Sequence, residues 1–302
     1  MPQGSRFSCR DPADFVRIFE NVLLVLYNSV FLLYNSTEYL LPWREEISGG
    51  AMPRFFVPGA GIDQTNVHIT GDDAWHIARS LRMAVGEHIT VCDTQGVEHD
   101  CTLQKITDDL VTASIDASRQ SAGEMPCLVV LYQALPKGDK MDLIVQKAVE
   151  MGVHTIVPFL SERCVSRPDG AALEKKCVRW QRIALEAAKQ CGRGYVPKIG
   201  TPLSYTQMLQ DAGQASIGCF CYEGDGTVSL KALLSEKRAS LASRRAPMDI
   251  SLVIGSEGGF SEREAAAADA AGLALCGLGR RILRCESASG FALACISYEF
   301  EL

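Results

Sequence analysis

Two stretches of this chain gather residue types that chemistry needs. In Leu252-Val-Ile-Gly-Ser-Glu-Gly-Gly-Phe260 an apolar run suited to a buried strand breaks into three glycines around Glu257. Ser261-x-x-Glu264 then has the spacing of a capping box opening an Ala-rich helix. In Leu278-Gly-Arg-Arg-Ile-Leu-Arg-Cys-Glu-Ser-Ala288 the plan recurs: 273–278 reads as a short strand and Gly279 opens a loop carrying Arg280, Arg281, Arg284 and Glu286. Ser287 or Ser289 is expected to cap a last helix. Two such loops at the carboxyl ends of neighbouring strands make a ligand crevice in an open α/β sheet. Gly255, Gly258, Gly259 and Gly279 admit a ligand close to bare backbone, while Leu278, Ile282 and Leu283 can wall a flat ring. Taken singly, Gly255, Gly258 and Gly259 read equally well as turn residues; the pairing of two loops favours the crevice. A phosphate cradle of the Walker type requires Lys-Ser/Thr after its last glycine, and here Phe260-Ser261 follows instead. A dinucleotide fingerprint fails on spacing. Glu257 and Glu286 either accept a proton or hold their loops through backbone hydrogen bonds. Arg193 and Arg284 are permanent cations, suited to an anionic ring or a phosphate and unsuited to acting as bases.

The elements that must position these loops follow from periodicity. From residue 128 strand and helix patterns alternate: a strand at 128–135, a helix at 139–151 stopped by Gly152, and a strand at 155–160. A helix at 171–191 follows, with Leu173, Val178, Ile183, Ala187 and Ala188 available to a buried face. Ser204-x-x-Gln207 has capping-box spacing, and 215–222 and 250–254 read as strands, the first ending in Cys221, Tyr222 and Glu223 at the expected rim. Such alternation predicts an α/β domain with a mostly parallel sheet covered by helices. Residues 52–124 differ: 88–92, the turn at 93–96, 97–106 and 110–115 read as a meander with one short helix over 72–81, the pattern of a small barrel. Residues 117–126 contain Ser, Gly and Pro without an apolar run and read as a linker, which divides the chain into 52–120 and 125–302.

At 302 residues and 47% hydrophobic content the chain can build two sizeable cores. Its net charge of −6 gives no global basic footprint. Lys and Arg exceed Asp and Glu only in 125–302, by 21 to 19, so a nucleic-acid surface has to be a local patch, and the balance favours that part of the chain. The 12 cysteines are scattered, with no C-x-x-C pair and no matching His; they read as reduced, mostly buried thiols, and no metal is expected. Cys219-x-Cys221 falls in an apolar run and reads as core, and His154, just before a buried-looking strand, reads as packed rather than basic. Residues 231–245 read as an exposed helix and loop with a basic rim. In residues 1–51 the apolar runs are interrupted by Asn28-Ser29 and fall short of the roughly 20 residues of a spanning helix. Asp11, Asp14 and Glu20 stand where a leader needs positive charge.

The two glycine loops resemble the signature loops of the RsmE family. The resemblance extends through Met52-Pro-Arg-Phe-Phe56, His76-x-x-Arg-Ser-Leu-Arg82, Lys137-Gly-Asp-Lys140, Gln146-Lys-Ala-Val-Glu150 and Glu186-Ala-Ala-Lys-Gln-Cys-Gly-Arg193, covering about 52–302. It implies a SPOUT-type, trefoil-knotted sheet domain preceded by a PUA-like β-barrel. The implied enzyme is an S-adenosylmethionine-dependent, cytoplasmic homodimer that methylates N3 of a uridine in 16S rRNA of the small ribosomal subunit. The cofactor would then lie among Cys221, Tyr222, Glu223, Ile254, Gly255, Glu257, Gly258, Gly259, Leu278, Gly279, Ile282, Leu283, Arg284, Ser287 and Ala288. Arg193, Glu257, Arg284 and Glu286 would serve catalysis. RNA phosphates fall to Arg54, His76, Arg79 and Arg82, three of which recur at helical spacing, although a solvated face paired with Asp72 and Asp73 explains the same pattern. Lys137 and Lys140, poor dipole partners at a helix start, join them. Against the family pattern, Ser256 and Arg280 replace prolines, and Cys285 and Ser287 replace threonines. Because Met52 resembles a family N-terminus, translation is expected to begin there naturally. The competing readings are a ribose methyltransferase of similar fold and a non-catalytic RNA-binding or ribosome-assembly protein.

Overall fold

The computed structural model describes residues 52–241 and 248–302. The expectations for residues 1–51 and for the end of the basic rim at 242–245 lie outside the described residues.

Strands β1 (Arg54–Phe56), β2 (Asn66–Thr70), β3 (His88–Cys92), β4 (Val97–Ile106) and β5 (Leu110–Gln120) form one sheet in the order β1-β3-β4-β5-β2. The β3-β4-β5 meander is antiparallel, as its alternation foretold, and β1 joins β3 in parallel. Successive side chains point to opposite faces, which sends Ile89, Val91, Cys101, Leu103, Val111 and Ala113 into one core with Phe55, Val67 and Ile69. The sheet curls around that core in the manner of a barrel, helped by two register breaks between β4 and β5. Residues 117–120, expected as linker, belong to β5 and pair with 97–100 of β4. Their side chains face solvent, so no apolar alternation marked the strand. The short helix α1 (Asp72–Trp75) runs directly into a π-helical turn, His76–Ser80, and Arg82 stands past its end at φ 52°. The π-turn breaks the 3.6-residue phase, so His76, Arg79 and Arg82 do not share the helical face expected of them.

The second sheet contains β6 (Cys127–Ala134), β7 (Thr155–Leu160), β8 (Lys198–Ile199), β9 (Leu203–Ser204), β10 (Ile217–Cys221), β11 (Val228–Ser229), β12 (Met248–Ile254) and β13 (Ala274–Gly277). Its order is β11-β13-β10-β12-β6-β7-β8, with β9 also on β7, and all of its pairings are parallel. Strands covered on both faces need apolar side chains at most positions, hence the largely apolar β6 and β12, interrupted only by Gln133 in the first and by Asp249 and Ser251 in the second. The covering helices are α2 (Lys140–Glu150), α3 (Gly170–Cys191), α4 (Tyr205–Ala212), α5 (Leu230–Leu241), α6 (Glu262–Ala270) and α7 (Cys285–Phe300). Helix α2 buries Met141, Ile144, Val145, Ala148 and Val149, an i, i+3, i+4 stripe, and packs against α3 and α7. The Asp169 carboxylate caps α3 by accepting from Ala172 N, and Gly192 ends it at φ 78°. The buried face of α3 is Trp180, Ala184, Ala187 and Ala188; Val178, expected inside, is exposed. Trp180 fixes the rotation, since its indole N–H donates to Asp142 Oδ1 of α2 at 3.1 Å. Ser204/Gln207 and Ser261/Glu264 both close the capping boxes expected of them. Neither Ser287 nor Ser289 caps α7: its N-cap is Arg284, and the buried Ser289 hydroxyl donates back to Cys285 O. No helix among the described residues is long and apolar enough to cross a membrane.

Candidate functional site

The loops after β12 and β13 meet at the carboxyl edge of the large sheet. Their strands, expected to be neighbours, are not, because β10 lies between them. Its end at Cys221, Tyr222 and Glu223 therefore becomes the rim joining both loops. Together they surround a crevice of about 500 Å³, inside the roughly 300–1,000 Å³ range of small-molecule sites.

Local sequence explains the shape. Gly259 N–H donates to Ser256 O, closing a turn in which Gly259 takes φ 60°. A Cβ at Gly255 would lie 3.1 Å from Gly259 Cα and 3.2 Å from the Phe260 ring, so any side chain there presses on both sides of the folded loop. Phe260 anchors the loop in the core, its centroid 4.2 Å from that of Phe220. The buried Gln133 side chain of β6 donates to Gly255 O at 3.1 Å, and Arg163 Nη1 donates to Gly258 O at 3.0 Å. On the other side Gly279 adopts φ 106°, and Leu278 and Leu283 pack partly buried against the main core. The Ser256 hydroxyl, which lines the crevice, is buried with no partner among the described residues.

The charges divide into paired and unpaired groups. Glu257 accepts from Lys137 N at 3.0 Å and from Lys140 Nζ at 2.7 Å, tying the β6–α2 turn to the glycine loop. Burial alone would raise its carboxyl, but the hydrogen bonds from Lys140 and from backbone N–H groups outweigh that and hold it below the usual carboxylate range. Glu286, at the start of α7, is also held low, chiefly by its backbone hydrogen bond and against burial, with help from Cys285, Lys140 and Arg284. Both carboxylates are thus weak bases at neutral pH. The Cys285 thiol is pushed up to about 12 by burial and then by Glu286 and Glu257, so it stays protonated. Arg280, Arg281 and Arg284 are exposed on the crevice wall and make no ion pair among the described residues.

Most of the cofactor set expected from sequence lies on this crevice: Cys221, Tyr222, Glu223, Ile254, Gly255, Glu257, Gly259, Leu278, Gly279, Ile282, Leu283, Arg284 and Ala288. Gly258 and Ser287 do not. A Cβ at Gly258 would meet Arg163 Cβ at 3.0 Å on the outer side of the loop, and Ser287 is exposed one turn into α7. Arg193, expected at the chemistry, is elsewhere: it is 3% exposed, pairs with Glu124 and donates to Val149 O and Val153 O. Arg54 is likewise turned inward, bonding Glu98 at 2.7 Å and Cys92 Sγ at 2.9 Å, so neither guanidinium is free to meet phosphate. Arg79 forks onto Asp108, while His76, Arg82 and Lys137 remain exposed. Lys140, assigned to RNA, reaches into the crevice instead. Sequence reasoning missed Thr227, Ser256, Phe260, Gly277, Arg280, Arg281 and Cys285 as lining residues. All but Thr227 and Gly277 lie inside the two quoted motifs, so taking each loop whole would have found them. Thr227 precedes the two-residue β11, too short for any periodicity to announce.

The profile of the RNA methyltransferase domain family matches residues 123–297, and that of the RNA methyltransferase PUA domain matches 69–116. The ribosomal RNA small subunit methyltransferase E of Bacillus subtilis is 36% identical over 234 residues, covering 78% of this chain and 90% of the relative. A solved ribosomal RNA small subunit methyltransferase E from Neisseria gonorrhoeae, bound to S-adenosyl methionine, is similar with a TM-score of 0.69 and 30% identity, over 82% of this chain and 97% of that one. A methyltransferase from Legionella pneumophila in complex with the bound cofactor SAM is similar at 0.70 and 26%, over 82% and 98%.

Proposed function

The chain belongs to the RNA methyltransferase family that includes ribosomal RNA small subunit methyltransferase E, and from that premise we propose that it methylates small-subunit rRNA at N3 of a uridine, using S-adenosylmethionine. The observation that carries this reading is the convergence of two glycine-shaped loops and the end of β10 on one crevice.

The residues present fit the cofactor. Partly buried Leu278 and Leu283 offer apolar walls to its base, and the bare backbone at Gly255 and Gly259 offers hydrogen-bonding groups at close range. The unpartnered Ser256 hydroxyl and the Glu223 carboxylate offer polar contacts for its hydroxyl and amino groups. When bound, the cofactor supplies an electrophilic methyl group. Uridine N3 carries a proton, and its loss to water spreads negative charge onto O2 and O4; a fixed cation beside those oxygens stabilises that charge. Arg284, permanently charged and unpaired among the described residues, takes that role. Glu257 and Glu286 keep the loops in place rather than accept the proton, since their hydrogen bonds already favour the ionised form. Arg280 and Arg281 extend the positive wall toward the RNA backbone. Membership of this family is the support for a further part of the proposal, that the protein is a homodimer with its chain threaded through a trefoil knot.

Nucleoside mass analysis of small-subunit rRNA treated with the protein and S-adenosylmethionine tests the proposal. The expected product is 3-methyluridine. A methyl group on ribose would replace the target assignment, and an absence of both transfer and cofactor binding would overturn the enzymatic reading in favour of an assembly role.

A further inference from the structure

A second cavity, of about 530 Å³, lies at the amino end of the large sheet, where the barrel turn at Thr94, Gln95 and Gly96 approaches the starts of β6 and β8. Its wall carries an aromatic pair: the His154 and Tyr195 rings stack with centroids 4.5 Å apart and planes 8° from parallel. Both rings line the cavity and are only half-buried, which leaves ring surface for a further planar group. The polar edges of the pair are partly uncommitted. The Tyr195 hydroxyl makes no hydrogen bond among the described residues, and His154 engages Thr155 Oγ1 through Nδ1 alone. Lys198, aligned with Thr155 on the adjacent strand, is exposed and without an ion pair among the described residues. Leu128 adds an apolar side chain at the mouth, 41% exposed. The carboxylate in the wall is consumed internally, since Glu124 takes the Arg193 guanidinium and the N–H groups of Gly194 and Tyr195. Those last bonds also fix the Tyr195 backbone.

Unpaired nucleobases are recognised by stacking on aromatic rings, with cations on the adjoining phosphate. We infer that this cavity is a second RNA subsite, in which an unpaired nucleotide of the RNA stacks on the Tyr195–His154 pair and Lys198 holds its phosphate. The inference rests on the proposed action on RNA. Burial, with Arg193 and Lys198 nearby and Glu124 opposing them, lowers the His154 pKa, so a neutral ring stacks at physiological pH. Strand β6 joins the two sites: Cys127 lines this cavity, and Gln133, six residues on, holds the glycine loop of the other. At about 3.3 Å per residue that is roughly 20 Å, so the nucleotide bound here is a separate part of the RNA from the one methylated.

Anisotropy of a fluorescein-labelled small-subunit rRNA fragment, titrated with the full chain at several salt concentrations, tests this. Tyr195→Ala is expected to weaken RNA binding about 5- to 150-fold, with Tyr195→Phe close to the unmodified protein and S-adenosylmethionine affinity unchanged by calorimetry. Lys198→Gln is expected to weaken binding and lower the salt slope by about one. Native RNA affinity in a folded Tyr195→Ala protein overturns the inference, as does a parallel loss of cofactor affinity, which marks a structural role. Should Tyr195→Ala fail to fold, an unchanged affinity and salt slope in Lys198→Gln overturns it instead. Weakened binding to ribosomal particles but not to protein-free RNA assigns the cavity to a ribosomal protein and also overturns it. A protein that binds RNA through this pair yet transfers no methyl group refutes the proposed enzyme and leaves the subsite standing.

Discussion

Replacing Arg193 by Met separates a structural guanidinium from a catalytic one. In the fold this side chain donates to Glu124 through Nε and Nη2, and to Val149 O and Val153 O at the end of α2 through Nη1. Its own carbonyl accepts from Arg54 at 3.4 Å. Methionine of similar length removes the charge and leaves Glu124 and the Val153 carbonyl short of a donor, while Val149 O keeps the Gly152 N–H. Breaking a buried ion pair by deleting one partner costs about 3–5 kcal/mol. Glu124 is 26% exposed and keeps the N–H donors of Gly194 and Tyr195, which places the expectation at the lower end, about 3 kcal/mol. At about 2–4 °C per kcal/mol for a chain of this size, the melting temperature should fall by roughly 6–12 °C. Scanning calorimetry reads that shift, and methyl transfer assayed well below the variant's melting temperature reads the chemistry. The variant is expected to lose much of its stability and keep most of its turnover. An unchanged melting temperature with turnover lost would refute this expectation and return Arg193 to the active site.

Four other outcomes follow from the crevice. Glu257→Gln should keep kcat within about threefold rather than lose the 10²- to 10⁴-fold expected of a missing general base, and should raise KM for S-adenosylmethionine by loosening the Lys137–Lys140 tie; steady-state kinetics distinguish the two. Because the Glu257 pKa is depressed, that tie is complete above the ordinary carboxylate range and is lost as pH falls through the folded value, so cofactor affinity in the unmodified protein should weaken only under distinctly acid conditions. Gly255→Val places branched carbon against Gly259 Cα and the Phe260 ring and should abolish cofactor binding, whereas Gly258→Ala pushes only on Arg163 and should bind the cofactor nearly normally; calorimetry on both variants would expose a misplaced crevice if their order reversed. Arg284→Ala, on an exposed side chain, should leave the melting temperature unchanged and cut kcat by two to three orders of magnitude, about the loss of one transition-state donor; retained turnover would remove Arg284 from the mechanism.

Local sequence was enough wherever the deciding interactions were local. The Ser261/Glu264 and Ser204/Gln207 boxes are set by residues three apart, and the β3-β4-β5 meander by a two-residue alternation that only a half-buried strand satisfies. The glycines at 259 and 279 announced tight loops because no other residue type adopts their positive φ cheaply, and the one at 255 because a side chain there would press on the folded loop. Tertiary structure alone decided which distant groups met. The insertion of β10 between β12 and β13 made Cys221–Glu223 a shared rim, a fact of strand order that chain order does not encode. Val178 and Trp180 are both apolar, and the bond from Trp180 to Asp142, 38 residues away, settled which one α3 turned inward. Arginine motifs announce charge but not the carboxylate waiting for it. Glu124 and Glu98 drew Arg193 and Arg54 into the interior, while Arg280, Arg281 and Arg284 found no such partner among the described residues and stayed at the crevice. A side chain's destination depends on the competition between burial with a counter-charge and solvation without one, and that competition is decided only once the fold has brought the candidates together.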